Sequence, residues 1–403
     1  MSRRVASPRG YSLSSIYCSD VTTASGSPSP RRLLVSCGEP SGDLYAGELI
    51  RHVRARAGPL EVFGLGGDWL QAQGARLLSH VNELAVVGLV EVLRHLRRLR
   101  SVFRALLAEV DREPIALAVL VDYAGFNLRL ARALHRRGVP VVYYVSPQLW
   151  AWRRGRMRTV RDCVRHMLVI FPFEESIYRE ASVPVTFVGH PLVDLTRSSP
   201  DPRTFLTAQG LDPARPVLAV LPGSRRQEIA YNLPPIVGAL RLLRAQRPEL
   251  QSALALAPGI ERGPIVAALE GVPAGIVSGH THALMGAATA GIVASGTATV
   301  EAALLDLASV VVYRVSPVSY ALGRPFVRVP HYAMANLIAG RRVLAELIQG
   351  GFQPKAVARE VGRLLDDSAH RSSVATGLAE VRARLGKPGA SARAAEIVAS
   401  YLG

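Results

Sequence analysis

From Arg32 onward, short runs of β-branched and aliphatic residues alternate with longer stretches in which apolar positions recur every three to four residues. That alternation predicts βαβ units around parallel sheets, because a strand covered by helices on both faces carries an unbroken apolar run. Leu33–Ser36, Val62–Leu65, Leu117–Val121, Val141–Val145 and Met167–Phe171 read as strands of a first half. Val217–Leu221, Leu254–Ala257, Gly275–Val277, Gly291–Ala294 and Val310–Tyr313 read as strands of a second. Ser198-Ser199-Pro200-Asp201-Pro202 interrupts the order between them, and beyond Arg341 the pattern predicts helix to the end. The expected organisation is α/β: two Rossmann-like domains, residues 31–195 and 196–355, around a central cleft, with helices in 356–403 packing across both. Residues 1–30 are rich in Ser, Arg, Pro and Gly, lack a secretory apolar core and read as a disordered extension.

Composition narrows the partners. A chain of 403 residues is too long for one ordinary core, and 49% hydrophobic residues make it globular. No apolar run reaches the ~18 residues needed to cross a bilayer. The formal charge of +17 favours an anionic partner such as a nucleotide, a phosphorylated substrate or an acidic lipid. Cys18, Cys37 and Cys163 are scattered, which fits a reducing compartment and offers no zinc site.

Open α/β sheets bind ligands beyond the carboxyl ends of their strands, so chemistry is expected there. The first strand runs into Gly38-Glu39-Pro40-Ser41-Gly42-Asp43, a turn in which glycines admit a ligand to the backbone and Ser41 is expected to cap a helix; a plain tight turn fits equally. Asp122 follows Leu117–Val121 directly, where burial would suit it to accept a proton from an attacking hydroxyl; capping a helix is the alternative. Asn127 would orient that carboxylate or a sugar hydroxyl. Ser146 and Trp150 lie in Ser146-Pro147-Gln148-Leu149-Trp150-Ala151-Trp152, whose aromatics suit a sugar, an acyl chain or a domain interface.

In the second half, Gly223, Ser224 and Arg225 form a small-residue turn with a guanidinium between strand and helix, a site for phosphate. Ser295, Gly296 and Thr297 repeat that logic, and Glu301, one turn into the next helix, is placed to grip ribose hydroxyls. Two diphosphate-ready turns facing a carboxylate describe a nucleotide-sugar transferase. No Asp-x-Asp pair stands at a strand end, so neither metal nor cofactor is expected. Leu89, Val92, Leu93, Leu96, Leu99 and Phe103 recur at helical spacing among Arg94, Arg97, Arg98, Arg100 and Arg104, as in a helix lying on an anionic membrane or, equally, packing on a core. Nucleic acid as the partner would leave both phosphate turns and Asp122 unexplained.

Gly38 to Asp43, Glu83 to Val92, Tyr144 to Trp152, Leu221 to Arg225, Ser295 to Ala298 with Glu301, and Asn336-Leu337-Ile338-Ala339-Gly340, in that order, resemble the lipid-A-disaccharide synthase family over about residues 32 to 355. The resemblance implies a GT-B fold and a cytoplasmic enzyme, peripheral on the inner membrane, with room for a homodimer. It implies transfer of 2,3-diacylglucosamine from UDP-2,3-diacylglucosamine to the 6-hydroxyl of 2,3-diacylglucosamine 1-phosphate, inverting, with a β-1',6 linkage and release of UDP. By motif, Asp122 corresponds to the family's proposed base, and Arg225 and Glu301 to its UDP-site residues. Where some members carry Asp-Ala-Pro-Asp, this chain has Asp122-Tyr123-Ala124-Gly125, which leaves Asp122 as the base candidate. Ala335 stands where many members have Pro or Val. The nearest rival is an enzyme like UDP-N-acetylglucosamine 2-epimerase, of similar architecture but acting on a water-soluble sugar.

Overall fold

The strands are short, apolar and buried, as the hydrophobic runs require: Leu33–Val35, Leu117–Val121 and Val217–Val220 are 1% exposed or less throughout. In this computed structural model the described residues are 30–84, 89–147, 156–196, 201–317, 320–321 and 329–402; side chains are described outside 84–96. The expected N-terminal extension, Trp150, Trp152 and residues 198–200 lie outside that set.

Seven strands form the first sheet: β1 (Arg31–Cys37), β2 (Leu60–Gly66), β3 (Arg76–His80), β4 (Leu117–Val121), β5 (Val141–Tyr144), β6 (His166–Val169) and β7 (Val185–Phe187), in the order β3-β2-β1-β4-β5-β6-β7. Six form the second: β8 (Val217–Leu221), β9 (Gln251–Leu256), β10 (Ala274–Ser278), β11 (Ala290–Ala294), β12 (Ser309–Tyr313) and β13 (Ala345–Ile348), in the order β10-β9-β8-β11-β12-β13. Every pairing is parallel. The direction of winding reverses between β1 and β4 in one sheet and between β8 and β11 in the other. Ligand crevices open at such switch points. Register fixes what meets there: Cys37 pairs with Val121, and Val293 with Leu221, so the turns that follow each pair are neighbours.

The C-terminal helices divide between the two halves. Helix Pro354–Asp366 packs on Arg226–Gln246 of the second half. The last helix, Ala390–Ser400, packs instead on Pro40–Ala57 of the first. Asp194 anchors that crossing, accepting from the Gly389 N–H at 2.8 Å and the Ala390 N–H at 3.3 Å. His190 sits beside it, 1% exposed, with its N–H bonded to the Leu385 carbonyl and its ring between Tyr45 and Phe171. Burial pushes the imidazole down to about 3, so it is neutral.

Two expectations fail. The chain beyond Arg341 is not all helix, because Ala345–Ile348 completes the second sheet beside β12. Helix Leu89–Arg112 exists, but Leu99 and Phe103 pack against the core of the first sheet, Phe103 edge-on to Phe126 at 5.6 Å. They therefore do not form the expected membrane face.

Candidate active site

Asp122 and Tyr123 leave β4 in the left-handed region, with φ 45° and 50°, and Val145 leaves β5 at 61°. For residues with a Cβ such backbone costs about 1–3 kcal/mol each and persists only where the surroundings over-determine it. Asn127 does much of the determining. It is fully buried, and its Nδ2 lies 3.0, 3.1 and 2.9 Å from the carbonyls of Ser36, Val121 and Asp122, while its Oδ1 accepts from Ser36 Oγ at 2.7 Å. The Tyr143 hydroxyl donates to the same Asp122 carbonyl. The Asp122 N–H reaches the Tyr144 carbonyl at 3.1 Å. With its backbone held at every polar atom, Asp122 keeps only its side chain free to react. It does not cap the following helix, Ala124–His135, whose N-cap is Tyr123 without any side-chain bond.

The environment gives that carboxylate unusual basicity. Burial, then the nearby Glu39 carboxylate, push it up to about 7, against Arg225, which pulls it down. Glu39 stands at the start of helix Pro40–Ala57, just past β1. Gly38 before it is required by packing: a Cβ there would fall 2.2 Å from the Tyr123 ring.

Across from these groups, Gly223 leaves β8 at φ 134° and opens the turn into helix Arg226–Gln246. Arg225 forks between two carboxylates, Glu228 at 2.7 Å on its own helix and Glu39 at 2.9 Å from the other half. Glu228 also accepts from the N–H groups of Ser224 at 3.1 Å and Arg225 at 3.4 Å. The donors that a phosphate would use are therefore aligned and held by carboxylate oxygens. Beyond β11, Gly296 takes φ 146°, Thr297 is exposed, and the Ser295 hydroxyl donates to the Tyr332 carbonyl at 2.7 Å. Glu301 lies in helix Ala298–Leu304, its carboxylate 3.3 Å from His282 Nε2.

The structure thus brings Glu39, Asp122, Gly223, Ser224 and Arg225 around one crevice and corrects several other assignments. Asn127 orients backbone, with both ends of its amide engaged, so no sugar hydroxyl is left for it. Ser146 is 5% exposed and bonded to the Tyr178 hydroxyl at 2.7 Å, which makes it part of the core. Ser41 caps nothing, since Pro40 opens the helix and Glu39 is the N-cap. Gly42 is buried, and a Cβ there would touch Cys37 and Val121, so it serves strand–helix packing. Asn336 is also internal: its Oδ1 accepts from Val343 and Leu344 N–H groups at 2.8 Å, and its Nδ2 donates to Glu346 at 2.7 Å. His282 is the residue missed. It follows the turn after β10, where Gly279 takes φ 75°, and the strand-end rule would have found it.

The Lipid-A-disaccharide synthetase family model matches residues 33–399. A lipid-A-disaccharide synthase of Myxococcus xanthus is 46% identical over 93% of this chain and 98% of its own. One from Koribacter versatilis is 45% identical, over 88% and 93%. Among solved structures, UDP-GlcNAc 2-epimerase from Neisseria meningitidis bound to UDP-GlcNAc aligns with a TM-score of 0.65 at 13% identity, covering 91% of this chain and 99% of that one. CalG4, the calicheamicin glycosyltransferase, aligns with a TM-score of 0.59 at 18% identity, covering 93% and 99%. At such identities the likeness carries the fold, GT-B, and nothing finer. The epimerase-like reading is not favoured, since relatives 46%, 45% and 40% identical are synthases.

Proposed function

This chain belongs to the lipid-A-disaccharide synthase family of glycosyltransferases, and from that premise we propose how its crevice joins the two lipid sugars. UDP-2,3-diacylglucosamine lies with its diphosphate against the Gly223–Arg225 turn and its ribose toward Glu301. The acceptor, 2,3-diacylglucosamine 1-phosphate, presents its 6-hydroxyl to Asp122. The carboxylate takes the hydroxyl proton as the oxygen attacks the anomeric carbon from the face opposite the α-linked diphosphate. The glycosidic bond forms with inversion, to a β-1',6 linkage, and UDP leaves. Charge that develops on the departing diphosphate is met by the Arg225 guanidinium and by N–H groups at the start of helix Arg226–Gln246.

One observation carries this reading. A carboxylate raised to about 7 ends β4, a guanidinium follows β8, and Glu39 couples the two across the crevice. A base near the operating pH accepts a proton with useful driving force while still ionised, and a positioned base contributes about 10²–10⁴ in rate. The test is mass spectrometry of product from defined acylated substrates. The disaccharide 1-phosphate should form only with both sugars present, and Asp122→Ala should abolish it with the fold intact; undiminished turnover in that variant removes Asp122 from the mechanism.

Both sugars carry acyl chains, so the crevice has to meet a membrane. The described residues include no helix long and apolar enough to cross one. The proposed contact with the anionic inner-membrane surface is confined to Leu89, Val92, Leu93 and Leu96, with Arg94, Arg97 and Arg100 adding about 1 kcal/mol each near anionic lipid, while Arg98 is engaged by Glu83 at 2.6 Å. Trp69 supports this site, being 54% exposed on the short helix that follows β2, at the carboxyl edge of the first sheet. Leu93→Ser with Leu96→Ser should release the protein from vesicles; unchanged sedimentation removes the helix from the contact.

A further inference from the structure

The first half carries a second cationic concentration, far from the crevice. Helix Ala124–His135 starts where β4 ends and runs back, and helix Met157–Cys163 leads into the start of β6, so the end of each lies at the amino edge of the sheet. Asp122 and Arg225 stand at the carboxyl edges. Between those two helices is an open cavity of about 340 Å³ lined by Arg132, His135, Arg136, Arg158, Thr159, Asp162 and Cys163. That volume falls within the roughly 300–1,000 Å³ typical of small-molecule sites.

The charges around it do not cancel. Among the described residues Arg132, Arg136 and Arg158 make no ion pair. The carboxylate in the lining, Asp162, is paired with Arg161 at 3.3 Å. Arg137, the neighbouring cation, is satisfied by Asp111 at 2.7 Å and leaves the three beside it uncompensated. One guanidinium is also oriented: Arg132 donates to Thr159 Oγ1, a hydroxyl 5% exposed, and the Arg136 Nε lies 3.3 Å from the Arg132 carbonyl. Like charges gathered around one concavity repel unless an anion joins them, and planar guanidinium forks match phosphate oxygens in pairs. The lining holds no Trp, Tyr or Phe on which a base or sugar ring would stack; its one aromatic ring is the His135 imidazole.

We propose that this cavity is a binding site for the phosphate group of a ligand other than the donor, held by Arg132, Arg136 and Arg158. The site is separate from the transfer reaction. If the crevice mouth meets the membrane, the amino edge of the sheet points away from it, and the phosphate comes from solution. An anionic lipid headgroup offers the same chemistry, and the two sources are separable.

Isothermal titration of the full chain with pyrophosphate, at low salt where exposed charges are least screened, should show binding that weakens at least tenfold in Arg136→Gln/Arg158→Gln. Both side chains are exposed, so the fold tolerates the change; Arg132→Gln, which also loses the Thr159 bond, is the further variant. Transferase kcat/KM with saturating donor should stay within twofold of wild type, which separates this site from the proposed crevice. Vesicles containing phosphatidylglycerol form the second arm. Arg-dependent sedimentation without Arg-dependent pyrophosphate binding assigns the phosphate to a headgroup. Pyrophosphate affinity and vesicle binding both unchanged in the variants overturn the proposal.

Discussion

The two switch points use opposite physics. At the first sheet the residues that leave β4 and β5 are strained and non-glycine, with Asn127, itself held by Ser36, and Tyr143 donating to the Ser36, Val121 and Asp122 carbonyls, so that Asp122 is left desolvated beside another carboxylate. At the second the turns are glycine, relaxed and open: Gly223 and Gly296 supply the positive φ, and Arg225 is 61% exposed. A base is made by withholding solvent from a charge; an anion site is made by offering donors that can exchange partners. The first region therefore stores strain and the second keeps its donors exposed.

Asp122→Asn tests that contrast most severely. We expect turnover to fall by about 10³ or more, while stability rises. The sign follows from linkage: a carboxyl near 3.8 when unfolded and about 7 when folded binds more protons in the folded state between those values, so stability falls as pH rises through that window. Asn removes the loss, by roughly 2–4 kcal/mol above pH 7 and by nothing below pH 4. Asn also tolerates left-handed backbone better than most residues. Denaturant melts at pH 4 and pH 8 decide it: equal stability of variant and wild type at pH 8 means that Asp122 is not destabilised by its surroundings.

Arg225→Lys addresses the open side. Lys keeps the charge but cannot fork between two oxygen pairs, and we expect kcat/KM to fall about 10²-fold, with both kcat and donor KM affected. Steady-state kinetics with a varied UDP donor would show it. A variant within threefold of wild type means that point charge suffices and the fork is incidental. Asn127→Ala comes next: it removes the amide that pins three carbonyls and should cost about 2–4 kcal/mol of stability, read as a lower denaturant midpoint.

Much of this contrast was legible in the sequence, and the illegible parts share a cause. Unbroken apolar runs announced the central strands, and glycines after β8 and β11 announced the open turns. Of the four edge strands among the described residues, β10 was read as Gly275–Val277, but β3, β7 and β13 did not announce themselves. Arg76–His80 is largely half-exposed, and Val185–Phe187 has three residues with no buried face. Ala345-Glu346-Leu347-Ile348 is made partly of good helix formers, and tertiary bonds override that propensity: Glu346 accepts from the Ala333 N–H at 2.9 Å and from Asn336 at 2.7 Å. The first switch point hid its roles for the same reason. Ser146 and Asn127 look like ligand-binding polar residues in strand-end loops, and only their partners, 32 and 91 residues distant, show them to be internal.

The smallest expected effect is also the one that ties the two regions together. Glu39 belongs to the first half, yet one of its oxygens lies 2.9 Å from Arg225 of the second, and its charge helps raise Asp122. Glu39→Gln keeps the shape and removes that charge, so the Asp122 carboxyl should fall toward its ordinary value. The acid limb of the kcat/KM profile, expected near pH 7, should then move down by less than one unit. Burial, the larger cause, is untouched, which bounds the shift. Activity at pH 8 should change only a few-fold, because Asp122 is ionised there in both proteins. A limb that stays in place while kcat/KM drops uniformly would mean that Glu39 touches substrate directly and that the strained base takes its basicity from burial alone.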